Sequence, residues 1–161
     1  MLDNQTTLLA TIRNLGHHHR DFQTALTKQM ANDSRLTPAA RQSLEKIRLN
    51  HSEVQILSIV NRTGELAYAQ LNEQVTFSQG MLSRYIKKLL QAELLYKVAL
   101  PDNKKAYRLA ITATGKVLAE QHDQLHEREN QAFQQALAQF SDQQLQDTIA
   151  VLQAIEGVKL P

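Results

Sequence analysis

Along most of this chain, apolar residues recur in alternating steps of three and four. Leu8, Ile12, Leu15, Phe22, Leu26 and Met30 follow that spacing, which predicts a first helix over about residues 4–30 with a seam suited to lengthwise packing. Thr37-Pro38 reads as an N-cap followed by a first helical residue, opening a short helix to about Ile47. Asn50 has Glu53 three residues on, a capping pair for a helix through Val54, Leu57 and Val60 that ends before Gly64. A short helix over about 67–74 follows, and Ser78 caps the next one. After Leu95 the period changes. Residues 96–100 and 106–111 read as two strands around a turn-rich tip, Pro101 to Lys105, the one convincing hairpin in the chain. Thr112 then opens a long helix to about Phe140. Ser141 with Gln144 caps the last helix, striped by Leu145, Ile149, Leu152 and Ile155 and closed by Gly157 and Pro161. The pattern predicts a mainly α protein with a small β-hairpin.

The helix opened by Ser78 has two unlike faces. At 100° per residue, Leu82, Ile86 and Leu89 share one side, while Gly80, Arg84, Lys87 and Gln91 lie opposite. A short helix, a turn, this basic amphipathic helix and then a basic hairpin form the order of a winged helix-turn-helix. Such a unit needs a helix held by its apolar side and polar toward base edges in the major groove. The candidate DNA-binding residues are Ser78, Gln79, Gly80, Ser83, Arg84, Lys87 and Lys88 on or capping the helix, and Asn103, Lys104 and Lys105 on the hairpin tip. Gln79, Ser83 and Arg84 are placed for base readout, and Lys104 and Lys105 for phosphate. A solvated charged helix beside an unrelated turn would share the pattern.

Charge sharpens this picture. The chain's formal net charge is only +2, yet residues 76–110 carry seven Lys or Arg against Glu93 and Asp102, a local +5 in a body that sums to −3. A basic segment on a slightly acidic body points to a polyanion met by one part of the molecule. At 161 residues the chain fits one domain, or one domain with helical extensions. Without cysteine it has neither disulfide framework nor thiolate site. No apolar run is long enough to span a bilayer, and the amino terminus lacks a signal-peptide pattern, so the cytoplasm is the expected location, with no membrane partner. No glycine-rich phosphate loop or catalytic cluster is evident, and an enzyme is not expected.

At this point a family resemblance becomes visible. The segment LNEQVTFSQGMLSRYIKKLLQAELLYKVALPDNKKAYRLAITATGK resembles the winged helix-turn-helix core of MarR-type transcriptional regulators. Ser78, Leu82, Ser83, Arg84, Ile86 and Leu89 resemble the recognition-helix pattern, and Ala106 to Gly115 resembles the second wing strand and the start of a long helix. The resemblance extends more loosely over about Leu49 to Phe140. Three departures stand out: Asn103-Lys104-Lys105 replaces an Asp-x-Arg arrangement, Asn72 stands where alanine is usual, and Glu93-Leu94 replaces Gly-Leu. Leu36 to Ile47 looks like an added helix. The resemblance implies a homodimer whose first and last helices interlock, an expectation that the amphipathic terminal helices also support. A monomer with those helices folded over its own core is the alternative. The expected organisation is residues 1–48 as N-terminal dimerisation helices, 49–112 as the winged DNA-binding domain, and 113–161 as long helix and C-terminal dimerisation helix. The expected function is a dimeric, effector-responsive repressor binding a pseudo-palindromic operator in double-stranded DNA. The other reading is a helical metal-binding or protein-interaction module whose winged element does not bind DNA.

Six histidines add candidate chemistry: His17, His18 and His19 in one run, His51, and the pair His122 and His126. The pair has i, i+4 spacing, so both imidazoles can meet one metal ion from one helix face. His-Asp-Gln-Leu-His invites comparison with the zinc-protease motif, but Asp123 is one methylene shorter than that motif's general base. Zinc-responsive members of the resembled family place paired histidines on this long helix. His122, His126 and His19 are therefore the candidate metal ligands, with His18 or His51 as other sources of the third. Zinc is the expected metal, acting as effector and not as a required cofactor. Structural helix histidines, or an unspecified small-molecule effector, are the competing readings.

Overall fold

The computed structural model describes the backbone of residues 4–15, 18–101 and 103–158, and the side chains of 4–12, 24–101 and 107–158. In chain order the elements are α1 (Asn4–Leu15), α2 (His18–Asn32), α3 (Pro38–Ile47), α4 (His51–Thr63), β1 (Leu66–Ala67), α5 (Tyr68–Glu73), α6 (Gln79–Gln91), β2 (Leu95–Leu100), β3 (Asn103–Ile111), α7 (Ala113–Leu137) and α8 (Asp142–Glu156). They form two compact units, residues 1–125 and 126–161.

The caps read from the sequence are in place. Thr37 Oγ1 accepts from the Ala40 amide at 3.1 Å and opens α3. At α4, Asn50 Oδ1 accepts from the Glu53 amide while Glu53 Oε2 accepts from the Asn50 amide, each at 2.9 Å. Ser78 caps α6, and Ser141 with Gln144 caps α8. Each side chain satisfies an amide that the helix itself leaves unpaired.

The helix expected over about residues 4–30 is described as α1 and α2, with Gly16 and His17 outside the described residues. In two places the structure departs from the expectation. The hairpin's second strand begins at Asn103, so Asn103, Lys104 and Lys105, read as the tip, belong to β3, and Leu100 pairs with Asn103. A third strand, β1, joins antiparallel to β3 with Leu66 opposite Leu109, giving the order β1-β3-β2.

In the first unit, α4 is the central post. Val54, Ile56, Leu57 and Val60 are buried on it, against Leu26 of α2, Leu71 of α5, Leu82, Ile86 and Leu89 of α6, Leu109 of β3 and Leu118 of α7. The wing is locked to α7 by close backbone approach. Thr112 donates its amide to the Leu94 carbonyl at 3.1 Å, its hydroxyl accepts from the Gly115 amide at 3.0 Å, and a Cβ on Gly115 would lie 2.2 Å from that same carbonyl oxygen. The second unit holds the remainder of α7 and α8. No residue of α8 is buried, and Phe133, Leu137, Phe140, Ile149, Val151 and Leu152 are all exposed. Two helices with this much uncovered apolar surface lack a core of their own.

Between α6 and β2, Glu93 holds φ of 55°, the left-handed region, at a position where its side chain has no reason to be favoured. Glycine enters this region without the Cβ–carbonyl clash that costs other residues about 1–2 kcal/mol. Glu93→Gly is expected to raise stability by about 0.5–1 kcal/mol after the greater chain entropy of glycine is counted. Urea unfolding checks this, and a loss of stability would show that the Glu93 side chain makes a compensating contact.

Candidate nucleic-acid interface and histidine cluster

α6 is seated by its apolar side: Leu82 and Leu89 are fully buried and Ile86 is 3% exposed. The opposite side, Gln79, Gly80, Ser83, Arg84, Lys87 and Gln91, is exposed, as is the capping Ser78. The Tyr68 hydroxyl at the start of α5 fixes the front of this helix. It donates to the Gln79 carbonyl at 3.1 Å and shares a 3.0 Å hydrogen bond with the Ser83 hydroxyl. Since Tyr68 has one proton, given to Gln79, the Ser83 hydroxyl donates to Tyr68 and keeps its lone pairs outward as acceptors. Beyond the far end of the exposed face, Lys97 of β2 lies over the Tyr107 ring of β3 at 4.1 Å from its centroid, adding a cation beside Lys87 in one shallow recess.

Lys88 does not join this surface. Its ammonium donates to Glu53 Oε2 at 2.8 Å and to the Arg48 carbonyl at 3.1 Å. The Glu53 carboxylate is 2% exposed, so Lys88 neutralises a buried charge at the start of α4. The residue sits on the flank of α6, and its long stem carries the charge inward around the helix. Backbone at Asn103, Lys104 and Lys105 is strand, as above, and their side chains lie outside the described residues.

The histidines meet at the start of α4. His122, 3% exposed on α7, brings Nε2 to 3.4 Å from Nε2 of His51, the first residue of α4. Two nitrogens bound to one tetrahedral zinc at about 2.0–2.1 Å stand about 3.3–3.4 Å apart, so this separation suits an ion between them. His126 follows one turn along the unbroken α7, and one ligand atom from each of the three histidines lies within 4.8 Å of the others. His122 Nδ1 faces Asp123 Oδ1 at 3.2 Å, and the same carboxylate oxygen accepts from the Ser58 hydroxyl of α4. A carboxylate on Nδ1 directs the Nε2 lone pair toward His51, the orienting arrangement found around metal-bound imidazoles. Among the described residues the third histidine is His51, one of the expected sources; the side chains of His18 and His19 lie outside the described residues, and His17 lies wholly outside them. The capping Asn50 starts α4 at His51 and so fixes where this imidazole stands.

Residues 120–123 of α7 are held on two sides. Glu120 pairs with Arg35 and Gln121 donates to Asp33, both in the α2–α3 connection, while His122 and Asp123 meet α4. The Arg35 guanidinium beside Asp33 holds that carboxyl well below the usual carboxylate range. Because the folded value is depressed, its contribution to stability is present near neutral pH and is lost only in strong acid.

Residues 49–115 match the model of a winged helix DNA-binding domain. The chain is 23% identical over 133 residues to the HTH-type transcriptional regulator PchR of Bacillus subtilis, covering 81% of this chain and 79% of that one. Among solved structures it is similar to Lactococcus lactis ZitR, a zinc-responsive MarR family member, with TM-score 0.58 and 20% identity over 67% of this chain and 74% of that one. ZitR in complex with DNA gives 0.59 and 19% over 67% and 73%. A cysteine-to-serine mutant of MarR from E. coli gives 0.50 and 13% over 88% and 95%. The fold and these likenesses define a winged helix-turn-helix protein. Within that class, its fold is similar to those of MarR family members. No helix among the described residues is long and apolar enough to cross a membrane.

Proposed function

We propose that this chain is a MarR-type transcriptional regulator that binds a pseudo-palindromic operator as a homodimer and represses transcription, with a divalent metal as effector. The observation that carries the DNA-binding half is the division of α6 into a fully buried apolar side and an exposed side bearing Gln79, Ser83, Arg84 and Lys87. Such a helix is fixed by its own core while its polar edge reaches into a major groove. Arg84 is the base reader: its planar fork matches the two acceptors of guanine. Lys87 and Lys97, together with Lys104 and Lys105 of the wing, meet phosphate. Lys88 is a clamp on α4 and not a DNA contact. ZitR in complex with DNA has this fold and supports the reading.

The exposed apolar residues of α8 and the end of α7 support a dimer. A second copy covering them supplies the core that the two helices lack, and it pairs one recognition helix per chain with two half-sites about 10–10.5 base pairs apart. The metal would be held by His51, His122 and His126, oriented by Asp123; zinc fits imidazole ligands without thiolate. Bound there, it would supply a cross-link between α4 and α7, and metal and DNA then alter each other's affinity by one common factor.

Arg84→Ala is expected to weaken specific binding by about 1–3 kcal/mol and to relax preference at one base pair of each half-site. Lys104→Ala/Lys105→Ala is expected to weaken specific and random DNA alike and to flatten the salt dependence by about one unit per lost contact per chain. Anisotropy titrations over a range of salt separate the two roles. An unchanged salt slope in the wing variant would remove the wing from the interface.

A further inference from the structure

We propose that Tyr68 is a positioning residue for base readout: it fixes the Ser83 hydroxyl as an acceptor, so that Ser83 selects a base presenting an amino group, adenine or cytosine. The proposal rests on the DNA-binding reading above and adds to it which base edge this position of α6 admits.

A serine hydroxyl alone makes no such choice. It holds one proton and two lone pairs, so it can donate to the keto oxygen of guanine or thymine, or accept from the amino group of adenine or cytosine. On a helix its proton commonly returns to the carbonyl four residues back. For Ser83 that carbonyl belongs to Gln79, and the Tyr68 hydroxyl already donates to it at 3.1 Å. A backbone carbonyl can only accept, so the single phenol proton is committed there. The 3.0 Å hydrogen bond between the Tyr68 and Ser83 oxygens therefore uses the serine proton. What Ser83 has left to offer the groove is its lone pairs.

Tyr68 is held where it stands. It is the first residue of α5, directly after β1, whose pairing with β3 sets Ala67 opposite Arg108. Its half-buried ring packs against the core, while its hydroxyl reaches the exposed front of α6. That helix is fixed in turn by Leu82 and Ile86, both buried. Neither oxygen has to move when DNA arrives. A keto oxygen facing Ser83 would meet lone pair against lone pair, and both acceptors would stay unpaired in a contact that excludes water. Tyr68 thus acts through Ser83 and not on the base.

Anisotropy titrations test this on duplex DNA from beside the coding region, with each base pair of one half-site replaced in turn by the other three. The wild type is expected to show one position at which adenine or cytosine on one strand binds about tenfold more tightly than guanine or thymine. Ser83→Ala is expected to lose that preference at that position alone. Tyr68→Phe removes only the phenol oxygen and frees the serine proton to donate. It is expected to bring the guanine and thymine duplexes within about threefold of the other two at the same position. Preferences elsewhere, affinity for random DNA and the urea midpoint are expected to stay as in the wild type. In the Ser83→Ala background, Tyr68→Phe is expected to change no base preference. A Tyr68→Phe protein that keeps the amino preference overturns the proposal, as does a preference for guanine or thymine at the position that depends on Ser83. The absence of any position that depends on Ser83 does the same, and so does a Tyr68→Phe protein weakened on every duplex alike, since the tyrosine is then merely structural. These outcomes leave a wild type that prefers its specific duplex. A wild type that binds the specific, substituted and scrambled duplexes equally overturns the DNA-binding reading itself, and this proposal with it.

Discussion

Gly115→Ala is expected to destabilise the first unit by about 3 kcal/mol, a large share of the roughly 5–15 kcal/mol that keeps a domain folded. The added Cβ would lie 2.2 Å from the Leu94 carbonyl oxygen and 2.9 Å from Ile111 Cγ1. That carbonyl cannot turn aside, because it accepts from both the Thr112 amide at 3.1 Å and the Thr112 hydroxyl at 3.2 Å. Relief requires the first turn of α7 to lift from the wing. Gly80→Ala is the control: nothing lies within 4 Å of its Cβ, and alanine in the first turn of α6 is expected to leave stability unchanged or raise it by up to about 0.5 kcal/mol. Urea unfolding of both variants checks the account. A Gly115→Ala protein within about 0.5 kcal/mol of wild type would mean that α7 does not dock on Leu94 as described.

The second large effect concerns the histidines. His122→Ala/His126→Ala is expected to lower zinc affinity by about a thousandfold or more, since the one remaining imidazole of the cluster cannot chelate. Asp123→Asn keeps all three ligands but weakens their orientation, and a loss of about 10–100-fold is expected. His51→Ala should resemble a ligand loss, which separates this cluster from one completed by the α2 histidines. Competition against a chromophoric chelator measures all three. Equal zinc affinity in the double variant and wild type would make the histidines structural, held for the contact between α4 and α7.

What the sequence disclosed was mostly local. The caps at Thr37, Asn50, Ser78 and Ser141 were legible because the side chain and the amide it satisfies lie within three residues of each other. The two-faced character of α6 was legible because helix period alone divides Leu82, Ile86 and Leu89 from Gly80, Arg84 and Lys87. What escaped depends on distant partners. β1 is two residues long and exists only because β3 pairs with it, so no alternation announces it. Lys88 looked like its neighbours on the helix surface until Glu53, 35 residues earlier, claimed its ammonium. His51 meets His122 across 71 residues through the packing of α4 on α7, so the sequence could name it only as one of several sources of a third ligand.

The central claim, that the exposed edge of α6 reads DNA, is tested most directly by anisotropy titration of duplex DNA from beside the coding region at about 0.15 M salt. Wild type is compared with Arg84→Ala/Lys87→Ala, and scrambled duplex serves as competitor. The wild type is expected to prefer the specific duplex by about a thousandfold or more, and the variant to lose most of that preference while unfolding at the same urea concentration. Equal affinity of the wild type for specific and scrambled DNA, or a variant that binds as the wild type does, would contradict the account.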